Sequence, residues 1–248
     1  AAAAEAGRSL VLPQGNAADL RWLPGVRAVT APSLLALCAI LEGRSAAHEP
    51  RCVEAVDDDL PPTLSLADVC GQTLGKRALE VAAAGSHSVL MVGPPGAGKS
   101  MLATRLPGIL PPMSDDEALE AAAVQSLTGS FSMARWRQRP YRAPHHTASG
   151  VALVGGSSVP RPGEISLANH GVLFLDEAPE FARPALEGMR QPLEQGFLAL
   201  MRVGHVVNAP ARFQLVLAAN PCPCGNATGT GARCTCDSAT KRRYRHKL

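Results

Sequence analysis

"SVLMVGPPGAGKSML", residues 88–102, decides the fold. Ser88 to Val92 reads as a short apolar strand, after which the chain turns through Gly93, Pro94, Pro95, Gly96, Ala97, Gly98, Lys99 and Ser100 into a helical run. A strand, then G-x-x-x-x-G-K-S, then a helix is the order of a phosphate-binding loop. Glycine's freedom at positive φ lets successive backbone N–H groups curl around phosphate oxygens, and the helix start adds partial positive charge. Lys99 is expected to reach the β- and γ-phosphates, and the Ser100 hydroxyl to take a place on Mg²⁺. A Gly/Pro turn with an incidental lysine is the bland alternative.

A second motif weighs against that alternative. "GVLFLDEAPEF", residues 171–181, opens with an apolar strand, Gly171 to Leu175, and leaves it through Asp176 and Glu177. Ligand chemistry in parallel sheets gathers at the carboxyl ends of strands, so both acids belong beside the loop. Asp176 is expected to hold Mg²⁺, directly or through water, and Glu177 to act as general base on the attacking water. A third apolar strand, Leu215 to Ala219, ends at Asn220. An amide there can bind the γ-phosphate or align the lytic water without adding negative charge; the bland reading is an asparagine that merely ends a strand.

Working outward, the composition shifts once. Residues 1–44 read as a small piece ending in a helix, Ser33 to Glu42, stopped by Gly43. Residues 45–63 are polar, acidic and proline-containing, a linker. From residue 64 to 248 helical and strand-like segments alternate, as in an α/β domain with a parallel sheet flanked by helices. At 248 residues and 46% hydrophobic content, the chain can hold one large domain or two small ones, and either arrangement can bury a core. A net charge of +3 is too mild to argue for nucleic acid by itself. No apolar run approaches the ~18 residues that span a bilayer, and the longest, Leu34 to Leu41, fits an ordinary buried helix. The opening "AAAAEAGRSL" has neither an initiator Met nor the parts of a signal peptide, and reads as a chain entered part-way through. A cytoplasmic place with no membrane contact is expected, where the seven cysteines stay reduced or bind metal.

Four of those cysteines follow Asn220 as two C-x-C pairs, Cys222 with Cys224 and Cys234 with Cys236. Four thiolates satisfy a tetrahedral structural Zn²⁺, and such a closed set leaves no position for catalysis. Free thiols are the alternative, and a disulfide is the least expected. Between the loop and the Asp176 strand, Ser114 and Glu117 form a capping box before an Ala-rich helix. His145 and His146 follow in "RPYRAPHHTASG", where adjacent side chains are expected to point apart. Structural or subunit-interface work, sensing of DNA or nucleotide, and metal binding stay open for them. Residues 151–164, "VALVGGSSVPRPGE", are expected to form a mobile loop or hairpin. Residues 196–213, "GFLALMRVGHVVNAPARF", read as two strands turning near Val203 and Gly204.

Together these blocks resemble the AAA+ ATPases, specifically their magnesium-chelatase-like branch of ComM and YifB type. The resemblance covers residue 64 to the end, in "GQTLGKRALEVAAAGSHSVLMVGPPGAGKS", in residues 136–177 and in "PARFQLVLAANPCPCG". It implies a P-loop AAA+ core that binds ATP with Mg²⁺, Asn220 as sensor 1, and Gly71 and Gln72 packing on adenine. It implies a homo-hexameric ring with ATP at subunit interfaces and DNA as substrate, in branch migration or processing of incoming DNA during natural transformation. The 196–213 hairpin resembles the pre-sensor hairpin, with Arg202 and His205 as DNA-contact candidates against an ordinary exposed hairpin. Residues 1–44 resemble the tail of a Lon-protease-like N-terminal domain, yet the first lysine in the chain is Lys76, so that portion carries no Ser–Lys dyad.

In the resembling family an arginine finger and a helical lid follow the last helix, and neither is visible here. Two further readings therefore stand beside a DNA motor: the ATPase subunit of a metal chelatase, and a nucleotide-binding module without turnover. The terminal run Lys241, Arg242, Arg243, Arg245 and Lys247 suits DNA phosphates or the solvated face of a helix.

Overall fold

A computed structural model describes residues 6–16, 27–46, 64–156, 161–202, 205–227 and 234–247. The chain forms two compact units, residues 1–60 and 61–248. In the first, β1 (Leu10–Pro13) pairs in parallel with β2 (Ala28–Ala31), and α1 (Leu34–Leu41) follows. Ser33 caps α1 by accepting from the Ala36 N–H, and Gly43 takes φ 72° just past its end, as its sequence requires. The expectation that α1 is buried fails: Leu34, Leu35 and Leu41 are 75%, 83% and 74% exposed. The two four-residue strands beside it present too little surface to cover eight apolar residues. Most of the expected linker, residues 47–63, lies outside the described residues.

The second unit is built on a parallel sheet of four strands. These are β3 (Val89–Val92), β4 (Tyr141–Arg142), β5 (Val172–Leu175) and β8 (Gln214–Ala219), in the order β3-β8-β5-β4. Strand β5 is apolar at every position because both faces of the sheet are covered. Val172 and Phe174, with Val216 and Ala218 of β8, meet α2 (Thr73–Gly85), α3 (Lys99–Ala103) and the turn Leu106–Ile109 through Leu79, Ala83, Leu102, Ala103 and Leu106. The alternate residues Leu173, Leu175 and Leu215 meet the other layer. That layer contains α5 (Gly150–Val154), α6 (Glu164–Leu167) and α7 (Arg183–Glu187), and buries Leu153, Ile165, Phe181 and Ala185. Each of these leucines contributes about 1.5–3 kcal/mol by leaving water.

Helix α4 (Asp115–Ser126) opens with the expected capping box: Ser114 accepts from the Glu117 N–H while Glu117 accepts from the Ser114 N–H. Residues 151–164 differ from expectation. Val151–Val154 lies in helix α5, because Ser149 caps it by accepting from the Ala152 N–H, and beyond it Gly155 forms an antiparallel bridge with Pro162, while residues 157–160 lie outside the described residues. After α8 (Arg190–Gln195), β6 (Phe197–Arg202) and β7 (His205–Pro210) form the antiparallel hairpin that the sequence predicts. Helix α9 (Ser238–Arg245) ends the described chain, capped by Asp237. Among the described residues no helix is long and apolar enough to cross a membrane.

Candidate nucleotide-binding site

Strand β8 lies between β3 and β5, so the carboxyl ends of the three motif-bearing strands sit side by side. The Gly93 N–H extends the ladder to Ala219 O at 3.2 Å, and the loop then curls with Gly96 at φ 75° and Gly98 at φ 84°. Lys99 Nζ donates to Gly93 O at 2.8 Å, Pro94 O at 3.0 Å and Asn220 Oδ1 at 3.2 Å. An ammonium has three donors, and all three are directed, so its position over the loop is fixed. Ser100 Oγ donates to Asp176 Oδ2 at 2.6 Å, and Asp176 Oδ1 accepts from the Glu177 N–H at 2.9 Å. Neighbouring oxygens on an octahedral Mg²⁺ stand about 3 Å apart, so this hydroxyl–carboxylate pair fits as two of its hard ligands.

Glu177 leaves β5 in a left-handed conformation, φ 53°. Its Oε2 lies 3.3 Å from His146 Nδ1. The sequence assigned no partner to His146; the placement follows from β4 running parallel beside β5, so that the chain leaving β4 arrives next to the acids. The expectation that the two histidines point apart is corrected: their ring centroids are 4.1 Å apart with planes tilted 34°. The turn is tightened by His145 Nδ1, which shares a 2.8 Å hydrogen bond with Thr147 Oγ1 and is approached by the Thr147 N–H. The same segment is anchored by Arg142, bidentate on Glu164 at 2.5 and 2.7 Å.

Gly71 and Gln72 precede α2 at φ 67° and 52°, and Gln72 Nε2 donates to Ala97 O at 2.8 Å, tying that segment to the loop. Arg202 and His205 pair directly across the described end of the β6–β7 hairpin; residues 203 and 204 and the side chains at 200–207 lie outside what is described.

The four cysteines come together just past Asn220. Cys222 is fully buried, and the sulfurs of Cys222, Cys224, Cys234 and Cys236 all lie within 4.8 Å of one another. Among the described residues no other group of three or more His, Cys, Asp and Glu converges in this way. A backbone hydrogen bond from Asn226, then the Cys222 sulfur, hold the Cys224 thiol down to about 6.

Tyr244 is the residue that sequence reading missed. It sits inside a basic run, with no pattern around it to signal a role, yet it is 5% exposed and within hydrogen-bonding reach of the Asn220 backbone. Burial, then the charge of Glu180, pushes its phenol up. Lys241 and Arg245 of the same helix line a cavity of about 590 Å³ with Asn220 and Pro221, while Lys247 Nζ stands 3.7 Å from Glu180 Oε2. A second cavity, of about 440 Å³, lies at the amino ends of the strands by Ser86, Gly171 and Gln214, away from the phosphate loop.

Residues 65–248 match the family described as magnesium chelatase, subunit ChlI. The uncharacterized protein YifB of Escherichia coli K12 is 47% identical over 247 residues, 99% of this chain and 48% of that protein. Competence protein ComM of Haemophilus influenzae is 48% identical over 236 residues, 94% of this chain and 46% of that protein. The chain therefore spans about half the length of the curated relatives it matches. Among solved structures, NtrX from Brucella abortus in complex with ADP covers 86% of this chain and 43% of its own, at 16% identity and a TM-score of 0.43. That likeness is too slight to add to the reading.

Proposed function

The chain belongs to the magnesium chelatase subunit ChlI family, and from that premise we propose that it binds ATP with Mg²⁺ and hydrolyses it. One observation carries the reading: Lys99 meets Asn220 and Ser100 meets Asp176, joining three strands at one point. A phosphate oxygen competes with the Gly93 and Pro94 carbonyls for the Lys99 ammonium, and the Asn220 amide nitrogen offers it a neutral donor. Ser100 and Asp176 supply oxygen ligands of the kind that Mg²⁺ prefers. Bound there, Mg²⁺ neutralises charge on the phosphates. Glu177 takes the proton from the attacking water, oriented by His146, and Gly71 and Gln72 flank the adenine.

The work done with this energy is on DNA. That assignment is supported by a relative that carries the name competence protein and by the hairpin ending at Arg202 and His205. A homo-hexameric ring, with ATP at its interfaces, would place six such hairpins together. The cysteine cluster is the candidate seat of a structural Zn²⁺. The family's own description favours a second reading, an ATPase subunit that drives insertion of magnesium into a porphyrin. A third is a binding module that holds ATP without turning it over.

Phosphate release, measured on the chain and on the whole protein with and without branched DNA, separates these. Stimulation by branched DNA supports the motor. Stimulation by a chelatase partner alone overturns the DNA assignment, and tight ATP binding without release in both proteins overturns hydrolysis.

A further inference from the structure

Four sulfur atoms converge at the end of β8, and phosphate chemistry has no use for them. Cys222 Sγ lies 3.3 Å from Cys224 Sγ and 3.7 Å from Cys234 Sγ, and Cys224 Sγ lies 3.6 Å from Cys234 Sγ. A disulfide requires about 2.05 Å, so these are separate thiols. Four sulfurs held about 2.3 Å from one tetrahedral Zn²⁺ stand about 3.8 Å from each other. The three separations among Cys222, Cys224 and Cys234 fall inside that value, and Cys236 Sγ lies within 4.8 Å of the other three. Thiols are weak hydrogen-bond donors and acceptors, so mutual attraction alone gives little reason for such crowding.

The cluster sits among parts that matter to the nucleotide site. Cys222 is two residues past Asn220. Gly225 packs on the phosphate loop so closely that an added Cβ would stand 2.7 Å from Pro95 Cδ, and its φ of 77° excludes most other residues. Cys236 precedes Asp237, whose carboxylate caps α9 by accepting from the Thr240 N–H at 2.6 Å. Helix α9 then returns to the Asn220 backbone through Tyr244. One small knot thus touches Asn220, the loop and the last helix.

We propose that Cys222, Cys224, Cys234 and Cys236 hold one Zn²⁺ that braces Asn220 and Pro95, so that nucleotide affinity depends on zinc. The proposal deepens the ATP reading and rests on it. Soft thiolates select Zn²⁺ while the hard oxygens of Ser100 and Asp176 select Mg²⁺, so the two ions are sorted by donor type. Four protein ligands fill the tetrahedral shell, which makes the site structural and closed to substrate. On binding, each ligand that still carries a proton releases it to solvent, all four bind as thiolates, and no electrons move. Without the ion the Cys222–Cys224 turn loses its tie to Cys234 and Cys236, Gly225 no longer presses on Pro95, and Asn220 gains freedom to leave Lys99.

The test uses the full chain, purified without chelator. Metal content is measured, Co²⁺ is exchanged in and its visible d–d bands recorded, and the Kd of a fluorescent ATP analogue is followed in excess Mg²⁺. The Kd is measured again after a zinc-selective chelator and after Zn²⁺ is restored, with circular dichroism monitoring the fold. We expect close to one zinc per chain and cobalt bands of a tetrahedral thiolate site. We expect the analogue Kd to rise by about tenfold or more on stripping and to recover on refilling, the scale of losing support around a site. The Cys234→Ser and Cys236→Ser variants should each lose zinc and bind the analogue as the stripped chain does. Less than about 0.2 zinc per chain overturns the metal site. A Kd unmoved by stripping overturns the brace. If the zinc-loaded chain binds no analogue at all, the ATP reading fails and the brace with it, while the metal and cobalt readings still decide the site.

Discussion

Lys99 divides its three hydrogen bonds between the loop that carries it and an asparagine 121 positions away in sequence. Replacing it removes a charge-assisted contact worth up to about 3 kcal/mol, so Lys99→Ala should weaken ATP binding by about 100-fold or more, read by equilibrium titration. Glu177→Gln should leave ATP affinity unchanged yet lower turnover by about 10²–10⁴-fold, because an amide cannot accept the proton. His146 acts one step removed. Since it holds a glutamate that is half exposed, His146→Ala should reduce kcat by about tenfold with little change in ATP Kd, and His146→Gln should recover part of the loss. The meeting of the loop, both acids and Asn220 was legible because each follows an apolar strand of one parallel sheet, and the carboxyl ends of those strands lie side by side. His146 and Tyr244 were not, since each reaches its partner through tertiary packing that leaves no spacing in the sequence.

At the scale of elements, α4 and β5 give the sharpest tests. The Ser114 hydroxyl satisfies the Glu117 N–H, so Ser114→Ala should lower unfolding free energy by about 1 kcal/mol, measured by denaturant titration. Gly171 opens β5 against the neighbouring backbone, where an added Cβ would overlap the Pro140 carbonyl. Gly171→Ala should therefore displace β4 from β5 and lower the thermal midpoint more than the Ser114 change does. Glu120 accepts from Asn169 and is paired with His170. Burial raises its carboxyl, but those hydrogen bonds outweigh burial and hold it below the ordinary glutamate value. Its contribution is thus complete above the unfolded value, at neutral pH, and is lost as pH falls through the depressed folded value. Glu120→Gln should lower the neutral plateau of the stability curve and flatten its acid limb, leaving stability below the depressed folded value little changed. The strands were readable because a sheet covered on both faces demands continuous apolar runs. Helix α5 was not, because "VALVGG" is short, and only the cap at Ser149 turns it helical rather than extended. The exposure of α1 was equally hidden, since an apolar run does not specify what covers it.

The whole molecule is two units, and the second holds the family's match along with every residue assigned to ATP. Sequence order alone scatters Ser100, Asp176 and Asn220 across more than a hundred positions; the β3-β8-β5 arrangement brings them to one edge. That convergence was inferable from the rule that ligands gather at strand carboxyl ends. The meeting of the cysteine knot with the loop was not, because the rule says nothing about chain beyond the strand. Isothermal titration of ATP with Mg²⁺ into the chain tests the convergence most directly, run beside its Lys99→Ala and Asp176→Asn variants. One nucleotide per chain, weakened by about 100-fold in Lys99→Ala and shorn of its Mg²⁺ dependence in Asp176→Asn, is the result predicted. Variants that bind ATP as tightly as the parent, with its full response to Mg²⁺, would contradict it.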